Sequence, residues 1–239
     1  MPELRIGSSG WHYAHWRGVF YPAEMRPQQM LAFYARHFNT VEVNNTFYRL
    51  PAVSTVQGWH DNTPPAFCFA VKASRYITHM KKLKQPRAGL MRMMPVLEAL
   101  KEKRGPVLFQ LPPRWKKNTQ RIEQFLAALP EDLSCAFEFR DPSWHHPEVY
   151  AALQEHNAAF CIFDLAGFCA PLEITADFAY VRLHGPDGAY AGCYSKRALR
   201  GWAERIRGWS HLKQVYVYFD NDEAGYAVRN ALELKELLA

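Results

Sequence analysis

Long apolar runs are missing from this chain. No stretch of about 18 consecutive apolar residues occurs, which leaves no candidate for a membrane-spanning helix. The opening segment MPELRIGSSGW has no charged-then-apolar pattern of a secretory signal, so a cytoplasmic location is expected and no membrane partner. Cysteine is sparse and unpaired in pattern. Cys68, Cys135, Cys161, Cys169 and Cys193 form no CxxC, and an odd count does not suit a disulfide framework, so buried thiols in a reducing compartment are expected. The GxGxxG fingerprint is absent as well: GSSGW after the first strand-like run fails the dinucleotide-binding spacing. Ser8, Ser9 and Ser143 have no GxSxG elbow around them. No low-complexity linker or short-period repeat interrupts the chain, so residues 1–239 are expected to form a single domain.

What is present is a repeated alternation. Hydrophobic residues make up 49% of the 239 positions, enough for a packed core. Apolar, β-rich runs recur at LRIG, TVEVN, AFCFAVK, PVLFQL, CAFEFR, AFCIFD, AYVRLH and QVYVYFD. Helical stripes lie between them, for example Ile122, Phe125, Leu126 and Leu129, and Leu199, Trp202, Ile206 and Trp209. The connections after the second and sixth runs look short or irregular, and Pro95 predicts a kink or late start in the helix it falls in. Strands alternating with helices indicate an α/β fold with a parallel sheet. At this length the closed (β/α)8 TIM-type barrel is the economical solution, with an open doubly wound sheet as the alternative.

The barrel makes sense of side chains that are otherwise odd in apolar strands. Strand side chains alternate between faces, and here one face packs on helices while the other fills the lumen. In CAFEFR the rings of Phe137 and Phe139 suit the helix side, which turns Glu138 and Arg140 inward. The same alternation turns Glu42, Asn44, Lys72, Gln110, Arg182, His184 and Asp220 inward, and Asp164 ends its run in the same way. These polar groups fall at the C-terminal ends of the strands, the face where barrel enzymes carry their sites.

Carboxylates on different strands suit acid/base chemistry, so Glu138, Glu42 and Asp164 are the candidate catalytic acids or bases, with His184 as proton relay. Lys72, Arg140 and Arg182 would clamp an anion, with Gln110, Asn44, Trp11 and Tyr13 as further ligand contacts. The same charges also read as a salt-bridged structural lumen, since burying them requires partners. A divalent metal on His184 with Asp164, Glu138 or Glu42 is a further reading of the same groups. Only one inward histidine occurs, however, and three cations stand nearby, so no metal ligand set is assigned.

Charge placement adds a second line. No acid occurs from Asn62 to Leu97, while Lys72, Arg75, Lys81, Lys82, Lys84, Arg87 and Arg92 accumulate there. PPRWKKN and SKRALR add basic residues after the fourth and seventh strands. A basic rim draws small anionic molecules or nucleic acid.

Several segments, in order along nearly the whole chain, carry a resemblance: GSSGWHYAHWRGVFYP, FNTVEVNNTFYRLP, FCFAVKASRYITH, GPVLFQLPP, CAFEFRDPSW, YVRLHGPDGAYAGCYS and YVYFDNDEAGYAVRNA. Together they resemble the YecE-like family, domain of unknown function 72. The resemblance implies a TIM-type barrel and no established reaction, so no catalytic residue is carried over. The chain departs from the family pattern with Asn44-Asn45 where Asn-Ser is expected, and with Asp220-Asn221-Asp222 where Asn-Asn-Asp is expected. The second departure counts against Asp220 as a catalytic group and leaves Asn221 and Asp222 as the candidates there.

The expected function is therefore a hydrolase-like enzyme acting by carboxylate acid/base chemistry on a phosphorylated or nucleic-acid-derived substrate. The alternatives are a non-catalytic nucleic-acid binder using the rim and, third, a glycoside hydrolase. Glu138→Gln separates catalysis from structure: lost turnover with intact folding marks an acid or base, whereas lost folding, read by urea denaturation, marks an ion-pair network.

Overall fold

Every apolar run becomes a strand in the computed structural model, which describes residues 2–239. In chain order the strands are β1 (Glu3–Ser8), β2 (Thr40–Val43), β3 (Cys68–Lys72), β4 (Arg104–Leu111), β5 (Cys135–Phe139), β6 (Ala159–Leu165), β7 (Phe168–Cys169), β8 (Phe178–Leu183) and β9 (Gln214–Phe219). The helices are α1 (Pro27–Tyr34), α2 (Val53–Asp61), α3 (Pro86–Glu98), α4 (Thr119–Leu126), α5 (Pro147–Glu155), α6 (Lys196–Gly208) and α7 (Tyr226–Leu238). Hydrogen-bonded neighbours run β1-β9-β8-β6-β5-β4-β3-β2, all parallel, and β7 folds back antiparallel on the end of β6. The result is the expected near-closed barrel of eight parallel strands.

The helices begin where local chemistry allows. Proline opens α1, α3 and α5, where its missing N–H would have had no partner. Asn118 caps α4 by accepting from the Arg121 N–H at 2.9 Å, and Ser195 caps α6 by accepting from the Ala198 N–H at 3.2 Å. Ile122, Phe125 and Leu126 of α4 and Leu199, Trp202 and Ile206 of α6 are buried as their spacing predicts, while Leu129 and Trp209 fall past the helix ends and are half-buried. One difference is α2, a full helix in the connection after β2 that looked irregular in sequence. Only Val56 of α2 is buried, so the apolar stripe that would have signalled it is lacking. Pro95 lies inside α3, which continues to Glu98. The connection after β6 has no α-helix, as expected.

The lumen has its own core. Cys68, Ala70, Leu108, Ala136, Ala159, Cys161, Tyr180, Tyr216 and Tyr218 pack together inside the barrel. Small residues come from β3, β5 and β6, and tyrosines from β8 and β9 fill the space they leave. No helix among the described residues is long and apolar enough to cross a membrane.

Closure between β1 and β2 is made differently from the other junctions. The ladder there is reduced to the Ser9–Glu42 bridge, with the Gly10 N–H donating to the Glu42 carbonyl at 2.8 Å. Below it the Tyr34 hydroxyl of α1 is inserted between the strands. It accepts from the Ser8 N–H at 2.9 Å and lies 3.2 Å from the Thr40 carbonyl, to which it donates. Further down, the Asn39 amide donates to the Leu4 carbonyl at 2.9 Å and Arg5 donates to the Asn39 carbonyl at 3.1 Å. Gly7 is required at this seam, because a Cβ there would stand 2.4 Å from the Thr40 carbonyl oxygen. Tyr34→Phe leaves both backbone groups without their partner in a fully buried site. The expected loss is about 1–3 kcal/mol, seen as a fall of roughly 3–10 °C in thermal unfolding.

Candidate functional site

The C-terminal end of the lumen is closed by a charged network centred on Arg182, which is fully buried. Its Nη2 donates to Glu42 Oε1 at 2.7 Å and to Asp220 Oδ2 at 3.0 Å, and its Nη1 donates to Glu138 Oε2 at 2.7 Å. The other oxygens of the two glutamates are also occupied. Glu42 accepts from the Ser9 hydroxyl at 2.6 Å and from the Tyr180 hydroxyl at 2.7 Å. Glu138 Oε1 accepts from Gln110 at 2.8 Å and from the Arg140 Nε. Burial would raise the Glu138 carboxyl, but the guanidinium charges of Arg182 and Arg140 outweigh it and hold that group well below its usual range. Burial likewise opposes the Arg182 charge, and the three carboxylates reverse this and push its pKa well up.

His184 is fixed by the same donors. Its Nε2 lies 3.0 Å from Arg140 Nη2 and 3.3 Å from Arg182 Nη1. Guanidinium nitrogens only donate, so Nε2 is the acceptor and the ring proton sits on Nδ1. Nδ1 then donates to Asp220 Oδ2 at 3.0 Å. Burial alone would raise the Asp220 carboxyl, but Arg182 and the hydrogen bond from His184 hold it below its usual range.

Inward placement holds for Glu42, Lys72, Gln110, Glu138, Arg140, Arg182 and His184, and the structure brings them together. Two expectations need correction. Asp164 pairs in register with Leu183, while Phe163 pairs with Arg182. Alternation therefore turns Asp164 to the helix side, next to Tyr194, where burial raises its carboxyl. Asn221 is buried away from the mouth: its amide donates to the Gly192 carbonyl and to Asn230 Oδ1, each at 2.9 Å, tying the β8–α6 loop to α7. Asp220 is turned inward as expected and is the network's third carboxylate. The ligand set weighed for a divalent metal does not converge either, because the oxygens of Glu42 and Glu138 face guanidiniums and Asp164 points outward. Among the described residues no cluster of three or more His, Cys, Asp or Glu side chains could hold a metal ion.

Above the network the mouth is less saturated. The Lys72 ammonium stands 4.7 Å over the Phe47 ring. Among the described residues it has no carboxylate within ion-pair distance. Burial, reinforced by the Arg182 charge, pulls its pKa down. Asp222 accepts from the Trp16 indole N–H at 2.7 Å through Oδ1. Its Oδ2 is buried without a hydrogen bond. His15 Nε2 lies 3.0 Å from that oxygen, close enough for an ion pair but off the hydrogen-bonding direction. Burial pushes the Asp222 carboxyl up to about 6, and the nearby Asp220 charge adds to the shift. Tyr13 donates to the Ser9 carbonyl at 2.6 Å, and burial followed by the charges of Asp220, Asp222 and Glu42 raises its phenol. Trp11 and Asn44 line a separate pocket beside the mouth. His15, Trp59 and Phe47 were not singled out in sequence, although the repeated aromatic and histidine positions of GWHYAHW are a signal for the first loop.

The rim loop after β3 is basic and strained. Residues Tyr76–Met80 form one π-helical turn, and Lys82, Leu83 and Gln85 follow with φ of 46°, 62° and 51°. Such turns and left-handed non-glycine residues gather at functional sites.

The family described as "Protein of unknown function DUF72" matches residues 5–239, and the chain belongs to it. It is 27% identical to the UPF0759 protein YunF of Bacillus subtilis, over 98% of this chain and 94% of that protein. It is 30% identical to the UPF0759 protein YecE of Escherichia coli over 52% of this chain and 44% of that one. Among solved structures, a DUF72 family protein of Thermotoga maritima superposes with a TM-score of 0.90 at 30% identity, over 99% of both chains. A DUF72 family protein of Enterococcus faecalis superposes with a TM-score of 0.84 at 21% identity, over 98% of this chain and 95% of that one, a likeness of fold.

The pairing of Glu138 sets what its replacement is expected to do. Glu138→Gln leaves the buried Arg182 and the partly buried Arg140 short of their anion, and a loss of about 3–5 kcal/mol is expected in urea denaturation at neutral pH. The sign with pH follows from the depressed carboxyl. The unfolded chain takes up a proton near the ordinary value of 4.5 while the folded chain does not, so this stability is present above that pH and is lost on acidification. Between neutral pH and about pH 3 the variant is therefore expected to lose less stability than the parent protein.

Proposed function

We propose that the barrel mouth binds a phosphate-bearing ligand between Lys72 and Arg140 and hydrolyses it with Asp222 as general base. The observation that carries this is Lys72, a largely buried ammonium over an aromatic ring with no carboxylate partner. A desolvated cation left without a counter-ion favours an anion arriving from solution. Arg140, at the end of β5, offers a second cation on the same face, with Nε held by Glu138, Nη2 held on His184 and its charge over the Phe163 ring at 5.0 Å. Glu138 and Glu42 then act as positioning residues, since their oxygens already accept from buried donors. The same occupancy counts against a glycoside hydrolase built on these two glutamates, which needs one carboxyl free to donate and another free to attack or activate water.

Asp222 has the properties they lack. Its pKa of about 6 sits near working pH, one oxygen has no hydrogen bond, and Trp16 holds the other. In this reading the water oxygen bonds to phosphorus and its proton passes to Asp222. The ester P–O bond breaks, and the departing oxygen takes a proton from solvent. Lys72 and Arg140 neutralise the charge that builds on the phosphoryl oxygens.

A second reading, nucleic-acid binding without turnover, is favoured by the strained basic loop, where Lys82, Lys84 and Arg87 are exposed. Thermal shift with inorganic phosphate, paired with hydrolysis of p-nitrophenyl phosphate, tests the first. Phosphate stabilises the parent and not Lys72→Met. Asp222→Asn retains the shift and loses roughly a hundredfold in rate. The parent rate climbs as pH rises through about 6, where Asp222 loses its proton, and the variant shows no such limb. A shift produced only by long nucleic acid, steeply salt-dependent and removed by Lys82→Ala, would replace hydrolysis with docking.

A further inference from the structure

A well-formed recess lies beside the mouth, with Tyr13 at the border between them. A cavity of about 520 Å³ opens between the loop after β1, α1 and α2, a size suited to a small molecule. Among the described residues no Asp, Glu, Lys or Arg lines it, and His12 is the one imidazole there, although the chain carries a net charge of +6. A lining of this kind suits an uncharged, hydrogen-bonding group. Trp11 and Trp59 form one corner, with ring centres 5.2 Å apart and planes at 85°. Perpendicular indoles do not sandwich a flat base between parallel faces. They meet two sides of a puckered ring, whose C–H groups rest on the π surfaces. Around that corner stand Gln28, Asn44, Asn45 and Thr55. Amides and hydroxyls both donate and accept, which matches the hydroxyl groups of a sugar.

The pocket is joined to the mouth by a single turn. Asn44 and Asn45 line the pocket, and Phe47, two residues on, lies under the Lys72 ammonium. Thr46 between them donates to the Lys72 carbonyl at 2.7 Å. The structure assigns this pocket as the subsite for the neutral sugar ring of a sugar phosphate whose phosphate reaches Lys72. The phosphate half rests on the mouth reading given above; the sugar half does not.

Calorimetric titration of the full chain separates the halves. The probes are glucose-6-phosphate, ribose-5-phosphate, the two parent sugars, inorganic phosphate and adenosine monophosphate. At least one sugar phosphate is expected to bind more tightly than inorganic phosphate. The double variant Asn44→Ala/Asn45→Ala weakens that binding by about tenfold or more, the loss of one to two hydrogen bonds, and leaves inorganic phosphate unchanged. Asn45 is exposed and Asn44 Oδ1 has no partner, so the double variant is expected to melt with the parent protein. Trp59→Leu weakens the same ligand and abolishes any tryptophan fluorescence change on binding. If Trp59→Leu melts early, the asparagine variant alone carries the test.

Sugar-phosphate binding that Lys72→Met removes and the asparagine variant does not alter overturns the pocket and keeps the mouth. Parent-sugar binding weakened by the asparagine variant, without any phosphate binding, keeps the pocket and overturns the mouth. Binding of adenosine monophosphate with none of either sugar phosphate overturns the sugar in favour of a base. No response to any sugar or sugar phosphate at millimolar concentration overturns the assignment.

Discussion

Arg182 is the charge on which the upper half of the barrel depends. One guanidinium, wholly out of water, holds carboxylates from β2, β5 and the end of β9, and lies against the histidine two residues ahead of it. Taking such an ion from water is expensive, and only complete pairing makes it tolerable. Tyr180, Ser9, Gln110 and Arg140 complete the pairing of the carboxylates in turn. Strands far apart in sequence are thus tied across the lumen at the level where an apolar core would otherwise end. The tyrosine and alanine layer below excludes water, and so strengthens each of these contacts.

The network also divides labour at the mouth. Groups with every lone pair and proton matched are poor agents of chemistry, because a substrate would have to break an existing contact first. Glu42, Glu138 and His184 belong to that class. Lys72 and Asp222 do not: the first has a ring where an anion could be, and the second has an oxygen with no donor in line. Charge that looks uniform in sequence thus separates into a fixed lower layer and a responsive upper one. The neutral pocket beside them supplies what neither layer has, a surface for an uncharged ring.

Much of this was legible in the residues. Period-two alternation placed Glu138, Arg140, Arg182 and His184 on one face correctly, because the strands that carry them are regular at that level. It failed at Asp164. There the inward partner of Arg182 is Phe163, and an aspartate ending a run carries no mark of which face it takes. Helix α2 was hidden because it buries little, and hydrophobic spacing only reports what is buried. Alternation also turned Asp220 inward, but its pairing with Arg182 and His184 is set by three-dimensional proximity that no local pattern encodes. The His15–Asp222 approach joins positions near opposite ends of the chain, and no local spacing encodes it.

The seam between β1 and β2 bears on how the molecule can move. A barrel closed by a complete ladder resists opening equally around its circumference. This one has a clasp, the Tyr34 hydroxyl, and the helix that carries the clasp also carries Gln28 and Leu31 on the wall of the neutral pocket. Pressure on that wall and tension on the clasp are therefore borne by the same two turns of helix. A group filling the recess would press on the helix whose hydroxyl holds the ring closed.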